Sequence, residues 1–215
     1  MRPLKYLVLA ALALLCAATS ANAIPVFTIT VNTSSIAGTM GHIDFFFGAA
    51  FNSPDATALV SMWTSDGTLS GVPSTSGSTS GVLPANVTEK VISNTGADYF
   101  HDFMFGNTLT FMLTLTYDSA IPGTFTTDDT WSLSLYDAMV MPLLSNGTEG
   151  DAIFAVDMHP DGSYTLHDAS TNGQLMVAAV PEPSTWTLFG IALLAVAFPL
   201  YRRRIRAAHH VSETK

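Results

Sequence analysis

Strict alternation of apolar and polar residues is the feature that most limits what this chain can fold into. In Thr108–Tyr117 the odd-numbered positions are all large and apolar, whereas the even-numbered ones are threonine except for Met112. Successive side chains of a β-strand point to opposite faces, so this period of two predicts a strand with one buried and one solvated face. Residues 26–32 and 131–136 show the same alternation.

Further candidate strands fill the middle of the chain. Residues that favour turns separate them, and Asp161-Gly162 and Asn172-Gly173 each predict the turn of a hairpin. About ten short strands without a credible helix predict an all-β fold, an antiparallel β-sandwich or jelly roll. The additional strand segments are 43–51, 57–63, 87–93, 99–105, 152–158, 164–168 and 174–180.

One stretch inside this region is interpreted as a connection. Residues 70–84 are rich in Gly, Ser and Thr and contain few large apolar side chains. A segment of that composition buries little apolar surface, so we predict a long mobile loop here.

The N-terminus has the composition of a secretory signal peptide, residues 1–23. Arg2 and Lys5 precede an apolar run, and Ala21 and Ala23 form the small-x-small site that signal peptidase requires. Cleavage after Ala23 removes Cys16, the single cysteine of the chain. We therefore expect no disulfide, thiol nucleophile or thiolate metal site in the mature protein.

The segment after the signal peptide is strongly acidic. We assign residues 24–178 to one exported domain, long enough for a proper hydrophobic core. Between residues 24 and 180, Lys90 is the only Lys or Arg, against 15 Asp and Glu. Phosphate contacts need cationic side chains, so this charge balance argues against nucleic acid as a partner.

A short apolar span near the C-terminus predicts a single transmembrane helix. Residues 186–201 form a run of 16 residues without a charge, which spans roughly 24 Å as a helix. Trp186 and Tyr201 stand at its two ends, where amphipathic rings favour the headgroup zone. The basic cluster that follows predicts that the tail, residues 207–215, is cytoplasmic. This orientation cluster contains Arg202, Arg203, Arg204 and Arg206.

A short proline motif, residues 180–184, precedes this span. The order of motif, apolar helix and basic cluster over residues 179–206 resembles the PEP-CTERM sorting signal of exported bacterial proteins. The resemblance implies transient anchoring in the inner membrane, cleavage near the motif by an exosortase-type membrane peptidase, and association with exopolysaccharide and biofilm. The motif residues are Val180, Pro181, Glu182 and Pro183.

The exported domain carries weaker motifs of its own. Residues 31–39 with Gly41, the aromatic strand 43–47, and residues 81–84 and 130–137 resemble a family of small PEP-CTERM proteins without an assigned activity. This resemblance implies a β-rich architecture and supplies no catalytic residues.

Histidines next to acids are the main candidates for chemistry. Their spacings match neither a metalloprotease nor a zinc-finger pattern. Neighbouring residues of a strand face opposite sides, so His101 with Asp102, and His167 with Asp168, are not expected to share a ligand. We interpret these residues as solvated polar groups at strand ends. The sets are His42/Asp44, His101/Asp102, Asp157/His159/Asp161 and His167/Asp168.

Two binding alternatives stay open. Carboxylates are the ligands that Ca²⁺ prefers, and Asp157 with Asp161, or Asp128-Asp129, offers such oxygens without the spacing of an EF-hand. Exposed rings such as Trp63 or Tyr136 would suit a carbohydrate platform.

The sequence therefore predicts an exported, non-enzymatic surface or extracellular-matrix protein with no catalytic residues, cofactor or metal. Its expected partners are an exosortase-type peptidase, the inner membrane and exopolysaccharide. The alternatives are a carbohydrate- or calcium-binding module of the matrix and a permanently anchored periplasmic domain.

Overall fold

Twelve β-strands form two six-stranded antiparallel sheets in the computed structural model, which describes residues 24–118 and 127–180. We call them sheet A and sheet B. The strand order in sheet A is β12-β1-β8-β3-β6-β5. Its strands are β1 (Val26–Asn32), β3 (Ala56–Ser65), β5 (Ser78–Gly81), β6 (Val87–Val91), β8 (Thr108–Tyr117) and β12 (Leu175–Ala179).

Sheet B is built in the same way. Its strand order is β11-β10-β9-β2-β7-β4, and every pairing is antiparallel. A 3-10 helix at Ser34–Ile36 joins β1 to β2. The strands of sheet B are β2 (Met40–Gly48), β4 (Thr68–Ser76), β7 (Ala97–Met104), β9 (Asp129–Asp137), β10 (Ala152–Met158) and β11 (Tyr164–Asp168).

Alternating side chains of both sheets meet in one hydrophobic core. Phe27, Ile29 and Val31 of β1 are fully buried, whereas the residues between them are half-buried. Phe45 of β2 touches rings of both sheets, including Phe111 of β8 at a centroid distance of 5.5 Å. The predicted all-β class is therefore confirmed. The compact unit Ile24–Val180 contains every core residue of the described part of the chain, so this segment has a hydrophobic core of its own, as an independently folding domain requires.

The loop predicted for residues 70–84 is wrong. Most of this stretch forms β4 and β5, which are the edge strands of the two sheets and pair with β7 and β6. Their side chains are almost all exposed. Backbone hydrogen bonds to a neighbouring strand hold an edge strand, so a polar composition does not prevent it from forming.

The two predicted hairpins have different outcomes. Asp161-Gly162 turns the chain from β10 into β11, with Met158 opposite Tyr164, as predicted. Asn172-Gly173 also turns the chain, at positive φ values of 55° and 66°, but the hairpin predicted there is wrong. The strand after it, β12, pairs with β1 in the other sheet, where its apolar side chains pack against the core. Turn residues specify a reversal of the chain and not its next partner.

No helix among the residues that the structure describes is long and apolar enough to cross a membrane. The transmembrane helix predicted at 186–201 lies outside those residues.

Gly41 gives a sharp test of how closely β2 and β9 approach. A Cβ at this position would lie 2.0 Å from the carbonyl oxygen of Tyr136, a backbone atom that cannot move aside alone. We expect Gly41→Ala to lower the free energy of unfolding by about 1–3 kcal/mol. Gly48→Ala in the same strand is the control, because its new methyl group meets the movable ring of Phe46 at 3.0 Å and the Thr130 carbonyl oxygen only at an ordinary contact distance of 3.5 Å. Urea unfolding measures both variants, and equal losses would contradict the packing described here.

Candidate functional site

The described fold ends where the predicted sorting motif begins. The backbone N–H of Val180 donates a hydrogen bond of 2.8 Å to the carbonyl oxygen of Val26, next to the last residue of β12. Val180 is the only predicted site residue inside the described part of the chain. Outside it lie Pro181, Glu182, Pro183, Arg202, Arg203, Arg204, Arg206, Ala21 and Ala23.

His101 and Asp102 point to opposite faces of sheet B, as predicted. His101 is buried, and its Nδ1 shares a hydrogen bond of 2.8 Å with the Tyr99 hydroxyl. Asp102 is exposed, and its Oδ1 lies 2.9 Å from Nδ1 of His42 on the neighbouring strand. The interpretation of these histidines as solvated is therefore wrong for His101, because its position is in phase with the core residues of β7.

Two other histidines pair with acids that are distant in sequence. Nδ1 of His159 lies 3.0 Å from Oδ2 of Asp128. His167 lies between two carboxylates, with Nε2 at 2.8 Å from Asp157 and Nδ1 at 3.2 Å from Glu149. Within residues 24–118 and 127–180, no three His, Cys, Asp or Glu side chains are grouped to hold a metal ion.

The carboxylates considered for calcium bind protein groups. Asp157 accepts a hydrogen bond of 2.6 Å from the Thr130 hydroxyl in addition to its contact with His167. Asp161 accepts hydrogen bonds from the backbone N–H and the hydroxyl of Ser163, which lower its pKa. These interactions stabilise the β10–β11 turn.

The rings considered for a carbohydrate platform are buried. Trp63 and Tyr136 are each only 9% exposed. Trp63 stacks on Phe111 at a centroid distance of 5.9 Å, and together with Phe103 it lines a cavity of about 450 Å³. Its ring face is thus covered by the core and offers no platform for stacking a sugar.

A pair of acids on the outer face of sheet B was not predicted. Asp44 of β2 and Asp98 of β7 lie diagonally across neighbouring strands, and their carboxyl groups share a hydrogen bond. Burial, this hydrogen bond and the charge of Asp98 raise the pKa of Asp44 to about 8. The His42 ring stacks on Phe100 beside them at 4.6 Å. The Asp44 carboxyl is therefore protonated at neutral pH, and its hydrogen bond to Asp98 shares that proton between the two groups.

This arrangement predicts how the titration of Asp44 responds to mutation. Asp98→Asn removes the like charge and supplies an amide donor, so we expect the pKa of Asp44 to fall. It should stay above its usual 3.8, because burial is the largest cause of the shift. Asp102→Asn, the same change on the same strand, is the control. NMR titration of the Asp44 carboxyl carbon measures the effect, and an unchanged pKa in Asp98→Asn would contradict the shared proton.

A second unusual acid lies in the core. Glu89 of β6 is fully buried, and its Oε2 accepts a hydrogen bond of 2.8 Å from the Trp131 indole N–H of the opposite sheet. Its Oε1 has no partner within the part of the chain described here. Burial raises the pKa of Glu89 well above its usual 4.5. The carboxyl group is therefore kept protonated and links the two sheets.

Residues 179–204 match the model of the PEP-CTERM protein-sorting motif. The chain carries a PEP-CTERM sorting signal. The match confirms the recognition made from the sequence, and it starts at Ala179, the last residue of β12. No curated protein and no solved structure matches the chain.

The PEP-CTERM motif implies an exported protein that an exosortase-type enzyme recognises and processes. The match overlaps β12 by one residue, Ala179. The predicted motif at 180–184 starts at the edge of sheet A, one residue beyond its last strand.

Proposed function

We propose that this protein is a non-enzymatic structural or adhesive component of the bacterial surface or extracellular matrix. The observation that carries the proposal is the PEP-CTERM match at residues 179–204, which adjoins the compact unit Ile24–Val180. The domain is made of two sheets around an aromatic core, and the acids considered for chemistry bind protein groups instead. These features suit a stable module that is delivered to the surface for its bulk properties.

The tail would act as a temporary anchor. After removal of the signal peptide behind Ala23, the helix 186–201 holds the chain in the inner membrane. The arginine cluster 202–206 keeps the C-terminus in the cytoplasm by the positive-inside rule. The prolines on both sides of Glu182 keep the motif extended and unable to pair as a strand, which suits recognition by a peptidase at the outer face.

Release would place an acidic module among exopolysaccharide. Lys90 is the single Lys or Arg in the segment between residues 24 and 180, against 15 acids. Such a charge keeps a protein soluble at high concentration and disfavours adhesion to anionic membranes. We therefore propose that the matrix, and not the membrane, is its final location.

Fractionation of the native host tests this proposal. We expect the protein in the matrix fraction of wild-type cells and in the membrane fraction of cells without the exosortase-type peptidase. Glu182→Gln should retain the protein in the membrane, whereas Glu213→Gln, the same change in the C-terminal tail, should not. A wild-type protein found only in membranes would contradict the proposal and favour a permanent anchor.

Turnover assays test the non-enzymatic part separately. Purified protein is incubated with polysaccharide extracted from the same matrix, and new reducing ends are measured. We expect none. Turnover that disappears in Asp44→Asn would contradict the proposal and make the acid pair a catalytic site.

A further inference from the structure

Acidic residues are segregated between the two sheets. The six strands of sheet A contain a single acid, Glu89, and its side chain is buried in the core. The six strands of sheet B contain seven acids, all except the buried Asp129 at least partly exposed, so the exposed acids of the strands lie on sheet B. The seven acids are Asp44, Asp98, Asp102, Asp129, Asp137, Asp157 and Asp168.

The outer face of sheet A consequently carries no acidic side chain from its own strands. It consists of the positions that alternate with the core residues, and threonine is the commonest among them. Lys90 is its one charged side chain, and the ammonium group lies 3.6 Å from Asp118 at the rim. The outward residues are Val26, Thr28, Thr30, Asn32, Thr57, Leu59, Ser61, Thr88, Lys90, Thr108, Thr110, Met112, Thr114, Thr116, Met176 and Ala178.

Short side chains and a continuous strand array make this face suitable for close contact. The hydroxyl groups of Thr30 and Thr110 lie 3.1 Å apart across neighbouring strands, and Met112 lies opposite both Thr28 and Ser61. The six strands are separated by five inter-strand distances of about 4.8 Å, and the strands are about 20 Å long, so the face has an area of roughly 500 Å². Two such faces in contact would bury roughly 1,000 Å² in total, near the lower end for a specific interface.

We propose that this face, the outer face of sheet A, binds the same face of a second copy of this chain. Two domains this acidic repel each other wherever their acids meet, and sheet A offers the face on which strand acids do not oppose contact. Packing of a patch on itself produces a closed, two-fold dimer. The proposal is independent of the sorting mechanism, because it concerns Ile24–Val180 alone.

Sedimentation velocity of Ile24–Val180 over a concentration series tests the proposal. We expect a reversible monomer–dimer equilibrium that tightens with salt. Raising NaCl from about 0.01 M to about 1 M shortens the screening length from about 30 Å to about 3 Å and so weakens the repulsion of the remaining acids. A monomer at every concentration and salt level would overturn the proposal.

Introducing a charge at Met112, in the middle of the outer face of sheet A, tests whether the partner is a second copy of the chain. Met112→Glu and Met112→Lys should each weaken the dimer by about 100-fold or more, because either charge would face its own copy. Ser132→Glu and Ser132→Lys on the outer face of sheet B are the matched controls and should leave the equilibrium unchanged. Weakening by the Ser132 pair alone would move the interface to sheet B and overturn the proposal.

A polyanion as the partner would give a different pattern. Binding of anionic matrix polysaccharide to a monomeric domain, strengthened by Met112→Lys and weakened by Met112→Glu, would overturn self-association. The Met112 side chain points away from the core, so thermal unfolding should show that both variants stay folded. The salt response of the wild-type domain is a second readout that needs no variant.

Discussion

Replacing Phe45 with alanine is expected to lower the free energy of unfolding by about 3–5 kcal/mol. Phe45 is fully buried at the centre of the domain, where it touches rings of both sheets. The centroid distances are 6.4 Å to Trp63, 5.8 Å to Tyr99, 5.5 Å to Phe111 and 5.6 Å to Trp131. Alanine would leave a cavity that these large rings cannot fill without leaving their own contacts.

Phe46→Ala is the matched control for this prediction. It removes the same side chain one residue along the same strand, but Phe46 points outward and is 47% exposed. We expect a loss well below that of Phe45→Ala, within about 1 kcal/mol. Urea unfolding followed by tryptophan fluorescence measures both losses. Similar losses at the two positions would contradict the assignment of the inner and outer faces of β2.

The domain is expected to be more stable at pH 5 than at pH 8, because two buried carboxyl groups have raised pKa values. The pKa of Glu89 is raised well above 4.5, and that of Asp44 is raised to about 8. The folded state therefore binds more protons than the unfolded chain above the ordinary pKa of a carboxyl group. As the pH rises from the unfolded-state pKa of such a group to its folded-state pKa, the free energy of unfolding falls by about 1.4 kcal/mol per pH unit.

Glu89→Gln isolates the contribution of the core acid to this effect. Glutamine copies the protonated carboxyl, and its carbonyl oxygen can still accept the hydrogen bond from Trp131. We expect a variant that is more stable than the wild type at pH 8 and nearly equal to it below pH 4.5. Asp168→Asn, at the exposed end of β11, is the control and should leave the pH dependence unchanged, because its carboxylate accepts hydrogen bonds from Ser170 and does not contact a histidine.

Urea unfolding at several pH values between 5 and 8 measures the slope for each protein. A wild-type stability that rises with pH across this window would contradict a protonated Glu89. A slope that Glu89→Gln leaves unchanged would assign the effect to Asp44 and Asp129, the other acids whose pKa is raised by burial.

The strands themselves could be predicted because alternation is a local property of the sequence. Val26–Asn32 was predicted with the bounds that the structure has. The edge strands β4 and β5 were missed because they lack this alternation. Backbone hydrogen bonds to β7 and β6 hold them, and such pairing requires no apolar pattern in the sequence. The pairing of β12 with β1 could not be predicted either, because a turn at Asn172-Gly173 is compatible with a following strand in either sheet.

The acid pair and the buried Glu89 depend on register, and register is not local. Asp44 and Asp98 meet only because β2 and β7 pair with Phe46 opposite Asp98. Glu89 alternates with Val87 and Val91, so its inward position could be read once β6 was assigned. Its partner Trp131 comes from the other sheet, which no spacing in the sequence reveals.

Intact mass and C-terminal peptide mapping of the protein from the extracellular matrix test the central claim most directly. We expect a chain that starts at Ile24 and ends near Pro181–Pro183, because the signal peptide and the tail are both removed. A matrix protein of that mass would also show that the mature chain is close to Ile24–Val180, the segment for which we propose dimerisation. A mature chain that still contains residues 186–206 would contradict processing at the PEP-CTERM motif.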